Sequence, residues 1–167
     1  MIQSARLLLR KFSLADASLF FELNNDPEVM QYTGDVAFES IASTEEFIEA
    51  YCREVYSVMG FGRWTVIRNS DGQCLGWCGL KRHPDGMVDL GYRLAKAYWG
   101  NGYATESAEA CIKFGFEDLQ LTEIVGRTAS ANMASIRVLE KVGMKFWKKA
   151  PCEGIEDSVY YRISRLP

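Results

Sequence analysis

Residues 90–116 read LGYRLAKAYWGNGYATESAEACIKFGF, and this stretch decides the fold. It begins as a strand, breaks at Trp99-Gly100-Asn101-Gly102, and resumes as a helix. Beyond the glycines, Ala104, Ala108, Cys111, Ile112 and Gly115 recur at helical spacing and make one small apolar face. Two glycines at a helix entrance let the backbone approach a ligand closely. The unpaired N–H groups there, with the positive end of the helix dipole, favour an anion and above all a phosphate. A Gly-x-Gly turn alone also fits a plain strand–turn–helix, so the rest of the chain must decide.

The chain has 167 residues, 48% hydrophobic and 25% charged, which describes one soluble globular domain spanning 1–167. A formal charge of -3 argues against a general nucleic-acid binder and is compatible with a cationic substrate such as an amine. No apolar run reaches the ~20 residues of a membrane span. The opening MIQSARLLLRKF lacks the apolar core and cleavage pattern of a signal peptide, so a cytoplasmic location is expected. Five cysteines with no CxxC pair read as buried small apolar residues in a reducing compartment. The single histidine, His83, leaves no zinc constellation and argues against a Ser-His-Asp triad.

In chain order, 5–12 is a first strand, and Ser13 with Asp16 caps an amphipathic helix through Leu23. After Asn24-Asn25-Asp26-Pro27 comes a short helical turn, then a second helix with a capping box at Ser43-Thr44-Glu45-Glu46. From Gly60 the period changes to two, and strands at 61–68, 73–82 and 87–94 form a meander. The glycine loop and its helix follow, then a strand at 122–128 and a helix at 132–142 closed by Gly143. Strands at 144–151 and 158–164 complete the chain. The expected class is α+β (mixed α/β): a mostly antiparallel sheet of six to seven strands flanked by helices, with a strand–helix–strand unit in its middle.

Four segments carry a family likeness. Arg6-Leu7-Leu8-Leu9-Arg10 with Asp16, Asn25-Asp26-Pro27-Glu28-Val29, Tyr98 to Glu106 (YWGNGYATE), and Asn132-Met133-Ala134-Ser135 running on to Glu140-Lys141-Val142-Gly143-Met144 resemble the GNAT superfamily of N-acetyltransferases. Within it, they most resemble the ribosomal-protein N-terminal (Rim-type) enzymes. The resemblance covers nearly the whole chain and implies acetyl transfer from acetyl-coenzyme A to an amine. One departure is Ala97, where the superfamily loop usually carries Arg or Gln.

The resemblance implies roles for particular residues. The N–H groups of Gly100, Asn101, Gly102, Tyr103 and Ala104 would cradle the coenzyme A pyrophosphate. Leu90, Gly91, Tyr92, Arg93 and Leu94 occupy a splayed strand whose unpaired backbone bonds the pantetheine arm, with Gly91 needed for a bulge or a close approach. Asn132 contacts the pantetheine or caps its helix, and Ser135 protonates the leaving thiolate. Arg137 and Lys141, at i and i+4, reach the coenzyme A phosphates or form a solvated face. Glu106 complements the helix dipole. Asp89, on the face shared with Met87 and Gly91, is the candidate base, directly or through water.

Tyr32, Glu22 and Asp26 are candidates for recognising the acceptor, and Trp64, Trp77 and Trp99 for lining its pocket or the core. An α-amino group titrates near ~8 and a lysine near ~10.4, so an N-terminal acceptor needs less help from a base. The expected reaction is direct attack of a neutral amine in a ternary complex, on a peptide N-terminus or on a small molecule such as a polyamine, amino acid or antibiotic. The rival is a non-catalytic acyl-CoA-binding module. A monomer or a homodimer is compatible with an exposed sheet edge.

Overall fold

The computed structural model describes residues 1–165, so the last two residues of the expected domain lie outside the described ones. Eight strands form one sheet in the order β1-β2-β3-β4-β5-β6-β8-β7. They are β1 (Ile2–Gln3), β2 (Leu7–Arg10), β3 (Arg63–Arg68), β4 (Cys74–Arg82), β5 (Val88–Leu94), β6 (Glu123–Ala129), β7 (Lys145–Lys149) and β8 (Ser158–Ser164). The helices are α1 (Ala17–Leu23), α2 (Pro27–Met30), α3 (Ile41–Tyr51), α4 (Ser57–Met59), α5 (Tyr103–Glu117) and α6 (Met133–Lys141). Every strand pair is antiparallel except β5–β6, as a helical crossover between them requires. The two-residue β1 is the strand that sequence reading did not find; it is too short to show a period.

Two helical layers cover the sheet. On one face, Leu80, Leu90, Ile124 and Gly126 meet α5 and α6: a methyl at Gly115 would strike Ile124 and Leu80, and one at Gly126 would strike Leu139. These small residues let both helices sit close to the strands. On the other face, the α1–α3 layer is tied down by buried polar contacts. Asp16 receives Arg10 Nη2 at 2.7 Å and Thr65 Oγ1 at 2.7 Å, while Tyr51 Oη receives the Arg63 N–H at 2.8 Å.

Ser13 and Asp16 form the expected capping box, at a 3-10 turn leading into α1. The cap of α3 lies elsewhere than expected. Ser40, not Ser43, is the N-cap, and Ser43 is its reciprocal partner at N3. Both are Ser-x-x patterns, and the earlier one gives α3 an extra turn. α3 runs through a π-turn at Cys52–Tyr56 into α4, which ends at Gly60 with φ +73°.

The site is positioned by the β5–β6 pair. Only Asp89↔Val125 and Leu90↔Gly126 are in register, and beyond them the strands part. β5 continues to Leu94 bonded to β4, and β6 continues to Ala129 bonded to β8. From Gly91 onward, the β5 backbone groups that face β6 meet no strand.

Candidate active site

A cleft of about 600 Å³ runs through this parting, from the glycine loop to the opposite face of the sheet. Gly100 and Gly102 have φ of +77° and +80°, a conformation that favours glycine, and Gly102 is the N-cap of α5. The first helical bond is Glu106 N–H to the Gly102 carbonyl at 3.0 Å. The six N–H groups from Gly100 to Thr105 therefore meet no protein acceptor among the described residues. Such a run of free donors at a helix N-terminus suits a diphosphate, as the glycine spacing suggested.

The loop is braced from outside the cleft. Arg6 reaches the Asn101 carbonyl at 3.2 Å with both terminal nitrogens and stacks 4.6 Å over the Tyr103 ring. Glu106 accepts from Ser4 Oγ and Arg6 N at 2.8 Å each, and from Arg6 Nε at 2.7 Å. Burial pushes the Glu106 carboxyl up, but these bonds outweigh it and leave it below its ordinary value. Glu106 thus fastens the β1–β2 turn to α5, a role beyond the dipole effect that its position suggested. Ala97 lies within a 3-10 turn, Lys96–Tyr98, and contributes no charge.

On the α5–α6 side of the cleft, Tyr92 Oη donates to the Ser135 carbonyl at 3.0 Å and stands 2.9 Å from Ser135 Oγ. Either hydroxyl can be the donor across that contact. Burial raises the Tyr92 hydroxyl above its ordinary value, so it stays protonated. Asn132 caps α6 by accepting the Ser135 N–H at 3.1 Å. Its side-chain nitrogen has no partner among the described residues, and the residue lines the cleft. Sequence reasoning counted the Tyr92 backbone and missed its side chain. The available signal was a lone hydroxyl between Leu90 and Leu94 on the face turned to α6.

Arg137 and Lys141 are exposed and line the cleft near its α6 wall, as do Leu90, Leu94, Tyr103 and Ala104; Asn101 does not. Gly91 shows no bulge. It pairs in register with Gly79, and the space above it is filled by Arg63 and Trp77. The bulge lies instead at Gly76, φ +141°, packed against the Arg93 carbonyl.

On the opposite face, strand alternation puts Arg63, Trp77, Lys81, Asp89, Gly91, Arg93 and Arg127 on one side of the sheet. Asp89 is buried, with His83 Nε2 at 2.8 Å from Oδ1 and Arg127 Nη2 at 3.1 Å from Oδ2. Burial pushes its carboxyl up, but the His83 bond and the charges of Arg63 and Arg127 prevail and hold it below the usual carboxylate value. A carboxylate engaged on both oxygens has little capacity to accept a further proton directly, which weighs against Asp89 as the direct base. Arg93 is bonded to Asn24 and Asp35 and lies 5.3 Å from the Trp77 ring.

Tyr32, Trp77 and Trp99 line the cleft, whereas Trp64 belongs to the core beside Phe114. Two acceptor candidates are displaced. Glu22 is exposed and away from the cleft, and Asp26 caps α2 by accepting the Glu28 N–H at 2.9 Å. Among the cysteines, Cys78 and Cys111 are buried with sulfurs 3.7 Å apart. Cys152 does line the cleft, but burial raises its thiol and keeps it protonated. Among the described residues, no cluster of side chains suits a metal ion, and no helix is long and apolar enough to cross a membrane.

Comparison with known proteins agrees with this arrangement. The sequence model of the acetyltransferase (GNAT) domain matches residues 6–145. The chain is 35% identical over 135 residues to the uncharacterized protein YkkB of Bacillus subtilis, covering 79% of this chain and 77% of that one. It is 32% identical over 183 residues to an Aspergillus fumigatus protein named FsC-acetyl coenzyme A-N(2)-transacetylase, covering 98% and 76%. Among solved structures, a GNAT-family acetyltransferase from Bacillus anthracis superposes with a TM-score of 0.81 at 30% identity, covering 98% and 97%.

Proposed function

Because the chain belongs to the GNAT acetyltransferase family and uses acetyl-coenzyme A, we propose that it acetylates a primary α-amino group by direct attack in a ternary complex. The observation that carries this reading is the row of free N–H groups at 100–105, opening onto a cleft that passes between parted strands. These residues fit the coenzyme: Gly100 to Thr105 hold its diphosphate, with Arg137 and Lys141 beside the phosphates. The edge of β5 from Gly91 to Arg93 bonds the pantetheine, and the Asn132 amide reaches it from α6. Bound there, the coenzyme supplies an activated acetyl thioester.

The protein's own groups then handle the protons. A β5 N–H facing the parting polarises the thioester carbonyl. The amine nitrogen bonds to the acetyl carbon while the carbon–sulfur bond breaks. The Ser135 hydroxyl, 2.9 Å from Tyr92, would give its proton to the departing sulfur and regain one, through water in the cleft, from the nitrogen as it becomes an amide. An α-amino group titrating near ~8 is partly neutral at physiological pH, so water in the cleft takes the ammonium proton without a dedicated carboxylate. Asp89 acts through Arg127, which lines the cleft, and holds His83 behind it.

The Rim-type resemblance favours a peptide N-terminus as acceptor. The Aspergillus relative is named for N(2)-transacetylation, which supports a small-molecule acceptor as the second reading. The free thiols fit a reducing compartment, and the cytoplasm is the proposed location. Calorimetric titration with acetyl-coenzyme A, followed by thiol-release assays against N-terminal peptides, amino acids and polyamines, tests the proposal. Saturable binding with turnover on at least one acceptor class is expected. Binding without turnover on any acceptor favours the acyl-CoA-binding module, and absence of binding refutes the assignment of the loop.

A further inference from the structure

Two buried side-chain polar atoms lack a hydrogen-bond partner among the described residues, Nε of Arg63 and Nε of Arg127, and both residues line the cleft. A buried donor left unpaired is costly, so two in one cleft mark a place where an acceptor atom belongs. The charge pattern sharpens this. On the acceptor side, Lys81 pairs with Glu153 at 3.3 Å, Arg127 with Asp89 at 3.1 Å, and Arg93 with Asp35. Among the described residues the Arg63 guanidinium makes no hydrogen bond and no ion pair, although its charge is felt by the Asp89 carboxylate. Its neighbours are the Trp77 ring, 4.4 Å away, and the bare backbone of Gly91.

The position of Arg63 is built with care. A methyl group at Gly91 would stand 3.1 Å from Arg63 Nη2 and 3.3 Å from Nε, so a glycine there gives the guanidinium its room. The backbone of Arg63 is clamped by Tyr51 at its N–H and by Tyr56 at its carbonyl. Gly91 is also where β5 leaves β6. An unpaired planar fork of donors thus stands at the opening through which the amine must approach.

We propose that the acceptor is a small amino-acid-like molecule whose carboxylate docks on Arg63, with Arg127 beside it, and so presents its amine to the parting of β5 and β6. This rests on the acetyltransferase reading of the same cleft and takes the small-molecule acceptor over the peptide N-terminus. A polyamine would bring further cations to Arg63, which makes no ion pair among the described residues, and an ordinary peptide N-terminus has no carboxylate next to its amine.

The test compares the twenty amino acids, their carboxamides and spermidine as acceptors, using wild-type protein, Arg63→Gln and Arg63→Lys. Acetyl-coenzyme A affinity is measured by calorimetry in parallel, as a check on folding and on the parent reading. For at least one side chain, the acid is expected to exceed its amide in kcat/KM by about tenfold or more, the scale of a charge-assisted pair. In Arg63→Gln that ratio collapses toward one through KM of the acid, with coenzyme affinity retained. Arg63→Lys keeps part of it.

Amides or spermidine used as well as acids, or a preference that survives Arg63→Gln, overturns the inference and leaves the transferase reading standing. Failure of the acetyl-CoA-loaded protein to bind or acetylate any of the acids overturns it equally. Loss of both coenzyme binding and turnover in the wild type overturns the two together.

Discussion

Tyr92 Oη stands 2.9 Å from Ser135 Oγ and joins β5 to the first turn of α6 across the opening of the sheet. In the proposed mechanism the pair holds a proton where the sulfur leaves. Removing the serine hydroxyl removes the donor, while removing the tyrosine hydroxyl only loosens it. Ser135→Ala is expected to lower kcat about 10²-fold, the usual contribution of a positioned acid, and Tyr92→Phe by less. Acetyl-coenzyme A affinity, measured by calorimetry, stays within a few-fold in both. An unchanged kcat in Ser135→Ala would assign the proton to another group.

Gly102, with φ +80°, has no neighbour that a methyl would strike closely; Arg6 Nη2 would lie 3.5 Å away. The cost of Gly102→Ala is therefore conformational, about 1–2 kcal/mol for a left-handed residue with a side chain. The loop relieves that strain by rotating its N–H groups off the phosphate site. Coenzyme affinity is expected to fall about tenfold or more, while urea unfolding shows a loss of no more than about 2 kcal/mol. Retained affinity would mean that the loop donors do not hold the diphosphate.

Asp89 makes a prediction about pH. Its carboxyl lies below the ordinary value, so it is already ionised throughout the neutral range and gives no limb to kcat/KM there. The acidic limb belongs to the acceptor amine. Asp89→Asn leaves Arg127 buried without its carboxylate and is expected to destabilise the protein by about 3 kcal/mol. The position of the acidic limb does not move. A limb that shifts or vanishes in this variant would restore Asp89 as the base.

Asp16 is 2% exposed and carries Arg10, Thr65 and the Ser13 N–H. Burial pushes its carboxyl up, yet these three partners leave it below 3.8. The folded value lies under the unfolded one, so its stabilisation is complete above the ordinary carboxylate value. It is lost as pH falls through the lower folded value. Asp16→Ala is expected to cost about 3 kcal/mol in urea unfolding near neutral pH and to flatten the acid limb of stability. An acid limb unchanged in the variant would place the proton uptake elsewhere.

What the sequence revealed follows from range. The glycine loop, the Ser13–Asp16 box and the Gly143 cap are local, set by residues within a turn of one another, and all were legible. So was the strand–helix–strand unit, because alternation and helical spacing are strong in 88–129. The partners of Asp89 were not legible, since His83 and Arg127 reach it from a turn and from another strand. Face assignment rightly put Asp89 beside Gly91, but only the packing shows that the site is filled by cations. Asp26 is acidic in a motif and so suggests an acceptor contact, whereas its short side chain is spent on the N–H groups of α2. Ser40 and Ser43, three residues apart, offer the same capping chemistry, so the local pattern does not choose between them as the cap of α3.

The most direct test of the acetyltransferase reading is acceptor-dependent release of coenzyme A thiol from acetyl-coenzyme A, with the amine product weighed by mass spectrometry. Predicted is one acetyl group gained per thiol released, at a rate that saturates in both substrates and falls about 10²-fold in Ser135→Ala. Tight acetyl-coenzyme A binding with thiol release that no amine accelerates would contradict it.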